Sequence, residues 1–237
     1  MQMKREVLFG RYEFDPGPGF PLSTDTMVLA DFVRARRGAR IADLGSAAGA
    51  LGLLLCGRLD CTVTGWEIQP EAHAAALENI ARNHLQDRMT ARCGDLRQIR
   101  QQAAPGQFDC AVSNPPYFVG GLLPRDSIMA QARQEVCCNL SELFAAAGWL
   151  LRYGGDFFLI HKPERLTDLL IAARDSGLEP KVLQPVRQRW SLPVSSVLLQ
   201  CRKGGKPGLA WRSDLILQNA DGTPTKRYRE IYHMEGD

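Results

Sequence analysis

The chain has no Cys-x-x-Cys pair, and its four histidines (73, 84, 161 and 233) fall at no metal-ligand spacing. Its seven cysteines (56, 61, 93, 110, 137, 138 and 201) are odd in number, and four sit in or beside apolar runs. No zinc site and no disulfide framework is expected. Adjacent thiols such as Cys137 and Cys138 are read as packing residues rather than a redox pair. Long hydrophobic runs are also missing. The longest charge-free stretches, Leu44–Gly57 and Cys110–Pro124, fall short of the roughly 18 apolar residues a membrane span needs. The opening Met1-Gln-Met-Lys-Arg-Glu6 lacks the apolar core of a signal peptide. With 45% hydrophobic and 23% charged residues, the composition excludes a disordered chain, a collagen and a small disulfide scaffold. The expectation is a reduced, soluble, monomeric protein of the cytoplasm, with no metal and no membrane partner.

Acidic residues are absent from one long stretch. Between Lys181 and Ser213 stand seven cations (Lys181, Arg187, Arg189, Arg202, Lys203, Lys206 and Arg212) and no carboxylate. The net charge of +3 therefore leaves −4 on the remainder. Such a concentration suits a polyanionic partner. Arg189-Trp190 and Trp211-Arg212 pair a cation with a stacking aromatic, as single-stranded RNA contacts do. Arg189, Arg202, Lys203 and Lys206 are the expected substrate-facing cations, with the loops of the last two strands placed on the edge that carries the chemistry.

What is present is an alternation of two periodicities. Arg40–Leu44, Cys61–Trp66, Met89–Cys93, Phe108–Ser113, Asp156–Ile160, Lys181–Pro185 and Val194–Cys201 read as seven short strands. Helical patterns separate them: an apolar helix opening at Leu51–Leu55, Glu71–His84 after Pro70, a long one over Gln131–Leu150, and Pro163–Ser176. Strands alternating with helices make a doubly wound α/β domain with a mostly parallel sheet. One domain is expected over residues 1–237: an N-terminal segment and helix to residue 39, a Rossmann-like core over 40–203, and an extension over 204–237.

In such sheets a ligand lies outside the carboxyl ends of the strands. Three strand ends carry suggestive residues: Asp43-Leu-Gly-Ser-Ala-Ala-Gly49, Glu67 and Gly94-Asp95. Gly45 and Gly49 allow a sharp turn and close approach of the backbone. Glu67 follows Asp43 by 24 residues, near the spacing at which an acid meets ribose hydroxyls. Asp95 could accept from an adenine amino group. A dinucleotide fingerprint would need glycine at position 47, where Ala47 stands, and Asp43 would repel pyrophosphate. S-adenosylmethionine has no phosphate and carries an ammonium group, so an acid there is compatible with it. A capping aspartate with packing glycines is the bland alternative, and three consecutive strand ends weigh against it.

Asn114-Pro115-Pro116-Tyr117 is the most specific feature. Two prolines stop a strand, but that alone leaves a polar residue ending an apolar strand unexplained, and the aromatics Tyr117 and Phe118 after it. Pro115 forces Asn114 into an extended conformation, and neither proline has an N–H to offer a sheet. The Asn114 amide oxygen and the Pro115 carbonyl then stand as fixed acceptors for the two N–H bonds of an exocyclic amino group. Tyr117 offers a face on which an extruded base stacks.

These residues resemble a class I S-adenosylmethionine-dependent methyltransferase acting on amino groups. Gly19–Phe32, Glu67-Ile-Gln-Pro70, Asn79, Asn83, Gly94-Asp-Leu96, Ser113–Phe118 and Ala132–Glu135 are most similar to the bacterial tRNA1(Val) adenine-N6 methyltransferases, and the similarity covers almost the whole chain. The resemblance implies a seven-stranded sheet whose last strand is antiparallel, and methylation of adenine 37 in tRNA. It implies that Thr24 and Asp25 help close over the cofactor, and that Asp43, Gly45, Gly49, Glu67, Ile68, Asp95, Leu96 and Asn114 hold it. Asn114, Pro115 and Tyr117 would then be catalytic, with Phe118 on the substrate. Ala47 departs from the glycine usual in that family. The same tetrapeptide serves enzymes that act on rRNA bases, DNA adenine or a protein glutamine, and a binding protein with a dead site is the non-enzymatic alternative. Only 39 residues precede Arg40 and about 36 follow Cys201, so no helical substrate domain and no large DNA-recognition domain is expected.

Overall fold

A computed structural model of the chain describes residues 5–17, 21–115 and 138–234. A small antiparallel hairpin comes first, β1 (Glu6–Leu8) and β2 (Tyr12–Phe14). Helix α1 (Thr24–Phe32) follows, and then the alternating core begins: β3 (Ala39–Leu44), α2 (Ala50–Arg58), β4 (Cys61–Glu67), α3 (Pro70–Arg82) and β5 (Met89–Cys93). After a 3₁₀ turn come the short α4 (Ile99–Gln102), β6 (Phe108–Ser113), α5 (Leu140–Leu150), β7 (Leu151–His161), α6 (Leu166–Asp175), β8 (Leu178–Arg187) and β9 (Val194–Lys203). Two-residue strands β10 (Ala210–Trp211) and β11 (Leu215–Ile216) and helix α7 (Lys226–Tyr232) complete it.

The strands form one sheet in the order β10-β8-β9-β7-β6-β3-β4-β5, with β11 also on β8. The seven expected strands are all present, and the last of them, β9, runs antiparallel to both neighbours. Central β3 and β6 are buried on both faces, which is why they read as nearly unbroken apolar runs rather than alternating ones. Two cores result. Helices α1, α2 and α7 and the hairpin pack on one face, whereas α5 and α6 pack on the other.

One expectation needs correction, and two segments carry more structure than expected. The long helix over Gln131–Leu150 does not run through: Asn139 is extended and caps α5, its side chain accepting from the Glu142 N–H while Glu142 accepts from the Asn139 N–H. That reciprocal box is a helix start, so α5 begins at Leu140. The N-terminal segment carries a hairpin as well as a helix. The residues after 203 add β10 and β11 to the sheet edge, parallel to β8.

Candidate active site

The order of the strands reverses at β3 and β6, and a cavity of about 330 Å³ opens outside their carboxyl ends. Ser113, the last residue of β6, donates its hydroxyl to the Leu44 carbonyl at 2.7 Å, which locks the two strand ends together and sets Asn114 beside the glycine turn. Gly45 and Ser46 donate their N–H groups to the Trp66 carbonyl at 2.9 and 3.0 Å, so the turn folds over the end of β4. A side chain at Gly65 would collide with Ser46, which makes that glycine a condition of the close approach. Gly45 sits at φ +76 and Gly49 at φ +85. Ala47 stands at φ +46, a left-handed conformation that costs an L-residue roughly 1–2 kcal/mol.

Glu67 is 5% exposed, and both carboxylate oxygens are fixed: one accepts from the Ala47 N–H and the other from the Gln69 N–H, each at 2.9 Å. A carboxylate has about four lone-pair sites, so this anchoring leaves acceptor capacity facing the cavity that Glu67 lines. Asp43 is 1% exposed, and its Oδ2 has no hydrogen-bond partner among the described residues. Burial first, and then the nearby Glu67 charge, push its pKa up to about 7. An orphaned buried carboxyl at a cavity wall asks for a cation.

Of the residues expected to hold a cofactor, Asp43, Gly45, Glu67, Ile68, Leu96 and Asn114 line this cavity, and so does the expected base-holding Pro115. Four others do not. Thr24 accepts a hydrogen bond from the Tyr232 hydroxyl at 3.1 Å, and Asp25 accepts from Ser196 at 3.2 Å, so both face neighbouring elements. Gly49 caps α2, where a Cβ would meet Met89 and Ala76, so its role is conformational. The Asp95 carboxylate caps the 3₁₀ turn and is gripped by the Arg97 guanidinium, whose hydrogen bonds hold it below the usual carboxylate range. Its neighbours Gly94 and Leu96 take the wall instead. Tyr117, Phe118 and Cys137 lie outside the described residues.

Several lining residues were invisible in the sequence. Phe14 reaches the cavity because fully buried Asn79 stitches the hairpin to the glycine turn, donating to the Asp15 and Ala48 carbonyls and accepting the Asp15 N–H. Asn83 adds a similar pair of bonds with Glu13. Ser23 and Thr26 line it at the start of α1, and the Asn114 NH2 points at both hydroxyls, 3.4 and 3.0 Å away. The signals available were Ser23 as a helix cap and the resemblance carried by Gly19–Phe32, Asn79 and Asn83.

The basic segment is divided by topology. Because β9 is antiparallel, its carboxyl end lies on the edge away from Asn114. Arg202 sits in register with Asp156, itself beside Cys110, roughly 13 Å back along the strand direction at about 3.3 Å per residue. Arg202 is ion-paired with Asp156 at 2.9 Å, and Lys203 donates to the Leu151 carbonyl at 2.7 Å. Lys206 follows farther along, its carbonyl accepting from Lys181. These three do not face the cavity edge. Arg189 does: with Trp190, 75% exposed, it sits in the hairpin between β8 and β9 at the edge that carries Asn114.

Among the described residues no group of three His, Cys, Asp or Glu could hold a metal ion, and no helix is long and apolar enough to cross a membrane.

Comparison with known proteins places this geometry. Residues 8–170 match the family described as the methyltransferase small domain. The tRNA1(Val) (adenine(37)-N6)-methyltransferase of Aeromonas hydrophila is 29% identical over 212 residues, 89% of this chain and 87% of that protein. Its namesake from Dickeya chrysanthemi is 30% identical over 206 residues, 84% and 81% of the two chains. Among solved structures, a predicted O-methyltransferase from Agrobacterium tumefaciens superposes with a TM-score of 0.74 at 22% identity, over 89% of this chain and 96% of that one, which shows the shared fold. The chain belongs to the methyltransferase small domain family, among the tRNA1(Val) (adenine(37)-N6)-methyltransferases.

Proposed function

We propose that this protein transfers a methyl group from S-adenosylmethionine to the N6 amino group of adenine 37 in tRNA1(Val). The observation that carries the reading is the meeting of Asp43, Glu67, Asn114 and Pro115 around one cavity at the sheet's switch point. Asp43, whose buried Oδ2 has no hydrogen-bond partner among the described residues, suits a cationic ligand, and Glu67 suits the two hydroxyls of a ribose. S-adenosylmethionine supplies an electrophilic methyl on a sulfonium. Asn114 and the Pro115 carbonyl accept the two N–H bonds of the amino group and turn its lone pair out of conjugation. Alignment supplies most of the barrier reduction, and no strong base is needed, since the nitrogen sheds its proton readily once alkylated.

The tRNA would approach over the edge that carries Asn114 and the Arg189-Trp190 hairpin. Trp190 suits a stacked base and Arg189 a phosphate.

The test is transfer of labelled methyl to tRNA lacking this modification, followed by mass spectrometry of the nucleosides. Asn114→Ala should lower kcat by about 10²-fold or more with the fold intact. Near-normal turnover in that variant would refute the mechanism.

A further inference from the structure

The Asn114 amide can sit in its site in two ways, differing by a flip that exchanges an acceptor for a donor. Only one way suits an amino group, and the start of α1 bears on which is adopted. Thr26 Oγ1 lies 3.0 Å from the Asn114 Nδ2, and Ser23 Oγ lies 3.4 Å from it. The two hydroxyls are 2.9 Å apart and either can donate to the other, and Ser23 Oγ also accepts the Thr26 N–H at 3.1 Å as the helix cap. When Thr26 gives its proton to that capping oxygen, its own oxygen has only lone pairs to offer. The NH2 side of an amide meets them; the carbonyl side would face another oxygen.

We infer that Thr26, supported by Ser23, is the positioning residue that fixes the Asn114 amide with its oxygen as the acceptor, and so makes the site select an amino group over an oxo group. The inference rests on the reading of Asn114 given under Proposed function.

The rest of the turn explains how so small a difference is held. Thr24 is bonded by Tyr232 of α7, and Asp25 by Ser196 of β9. Thr26 is buried, and four residues after it (Met27, Val28, Leu29 and Ala30) are buried in the core. Three consecutive residues thus read three different elements, and the turn cannot swing without breaking all of them. The Thr24 and Asp25 that the family resemblance assigned to the cofactor act, in this geometry, as the anchors of the residue beside them. The partners of both anchors, Tyr232 of α7 and Ser196 of β9, lie beyond the residues 8–170 that match the family.

The experiment compares Thr26→Val, which keeps the shape and removes the oxygen, with Thr26→Ser, which restores it. Each is assayed on a tRNA1(Val) anticodon stem-loop with adenosine at position 37, and with an inosine-37 stem-loop as competitor. Wild type must first methylate the adenosine substrate; if it does not, the proposed function fails before this inference is reached. Given that, Thr26→Val should lower kcat by about 10- to 100-fold, leave the S-adenosylmethionine Kd within about threefold, and bring the inosine inhibition constant at least fivefold closer to the KM for adenosine RNA. Thr26→Ser should return kcat to within about threefold of wild type. Equal thermal melting curves show that the Val variant is folded. A Val variant with kcat within twofold of wild type, or a loss of kcat with unchanged adenosine-over-inosine preference, would overturn the assignment.

Discussion

Replacing Asp43 by asparagine should make the cofactor-free protein more stable while disabling it. The carboxyl is buried with its Oδ2 unpaired among the described residues, and its pKa is pushed up to about 7, by burial first and by Glu67 second. In the unfolded chain the same group titrates near roughly 3.9. Below that pH both states hold the proton and there is no penalty. As pH rises from about 4 to 7 the unfolded chain ionises while the folded one does not, so stability is lost, and above about 7 the loss levels off. A gap of about three units at roughly 1.36 kcal/mol each amounts to about 4 kcal/mol at neutral pH. Asparagine removes that penalty but leaves a dry amide in its place, at a cost of about 1–3 kcal/mol. The net gain is about 1–3 kcal/mol, or roughly 2–12 °C in Tm for a chain of this size.

Thermal melts of both proteins from pH 4.5 to 8 read the effect directly. The difference in Tm should be small or reversed at the acid end and grow towards pH 7. In the same variant S-adenosylmethionine should bind about 10- to 100-fold more weakly, since a hydrogen bond to a charged group is worth roughly 1.5–3 kcal/mol. A Tm difference that stays flat across the pH range would refute the assignment of a raised, unpaired carboxyl.

Four further outcomes are expected. Glu67→Ala should weaken S-adenosylmethionine by about 1.5–3 kcal/mol in calorimetry, and unchanged affinity would reduce Glu67 to a bracket for the Ala47 and Gln69 N–H groups. Ala47→Gly should relieve the left-handed strain and raise stability by about 0.5–1 kcal/mol in urea titrations, after the roughly 0.5–1 kcal/mol that glycine loses in chain entropy. Trp190→Ala with Arg189→Gln should raise the KM for tRNA at least tenfold and flatten its log–log salt slope by about 0.7–0.9, whereas the triple change Arg202→Gln, Lys203→Gln, Lys206→Gln should leave that slope unaltered. Asp109 is held at about 2: burial opposes its charge, but the Arg40 N–H and the Arg152 and Arg36 guanidiniums outweigh that. Asp109→Asn should therefore cost about 1–2 kcal/mol above pH 4, a difference that fades as acid takes the wild type from pH 4 down through 2.

Much of this site was legible because its chemistry is local in sequence. Asp43 with its glycines, Glu67 and Asn114-Pro115 each sit at the end of a strand, and parallel strands bring their ends to one edge whatever the intervening helices do. The capping box at Asn139 and Glu142 was equally local, and it outweighs the helical periodicity that seemed to run through it. Less legible were the contributions of residues whose roles depend on a distant partner. Phe14 lines the cavity only because Asn79, 64 residues away from Asp15, holds the hairpin down. Asp95 ends its strand as expected, but the hydrogen bond its carboxylate accepts from Arg97, two residues on, could not be read from a strand end.

The basic segment makes the same point in reverse. Seven cations without an acid in 33 residues look like one surface when charge is counted along the chain. The segment nevertheless includes β9, whose ten residues span roughly 30 Å at about 3.3 Å each. A hairpin therefore delivers Arg189 to the edge with Asn114 and carries Arg202 and Lys203 to the other. Pairing then separates them further, since Arg202 is ion-paired with Asp156 whereas no ion pair holds Arg189 among the described residues. A polyanion is drawn by cations whose charge is not already answered within the protein, so the hairpin tip is the part of the segment equipped to meet one. Charge density read along a sequence becomes a surface only where the strand direction is known, and here one antiparallel strand is enough to split it.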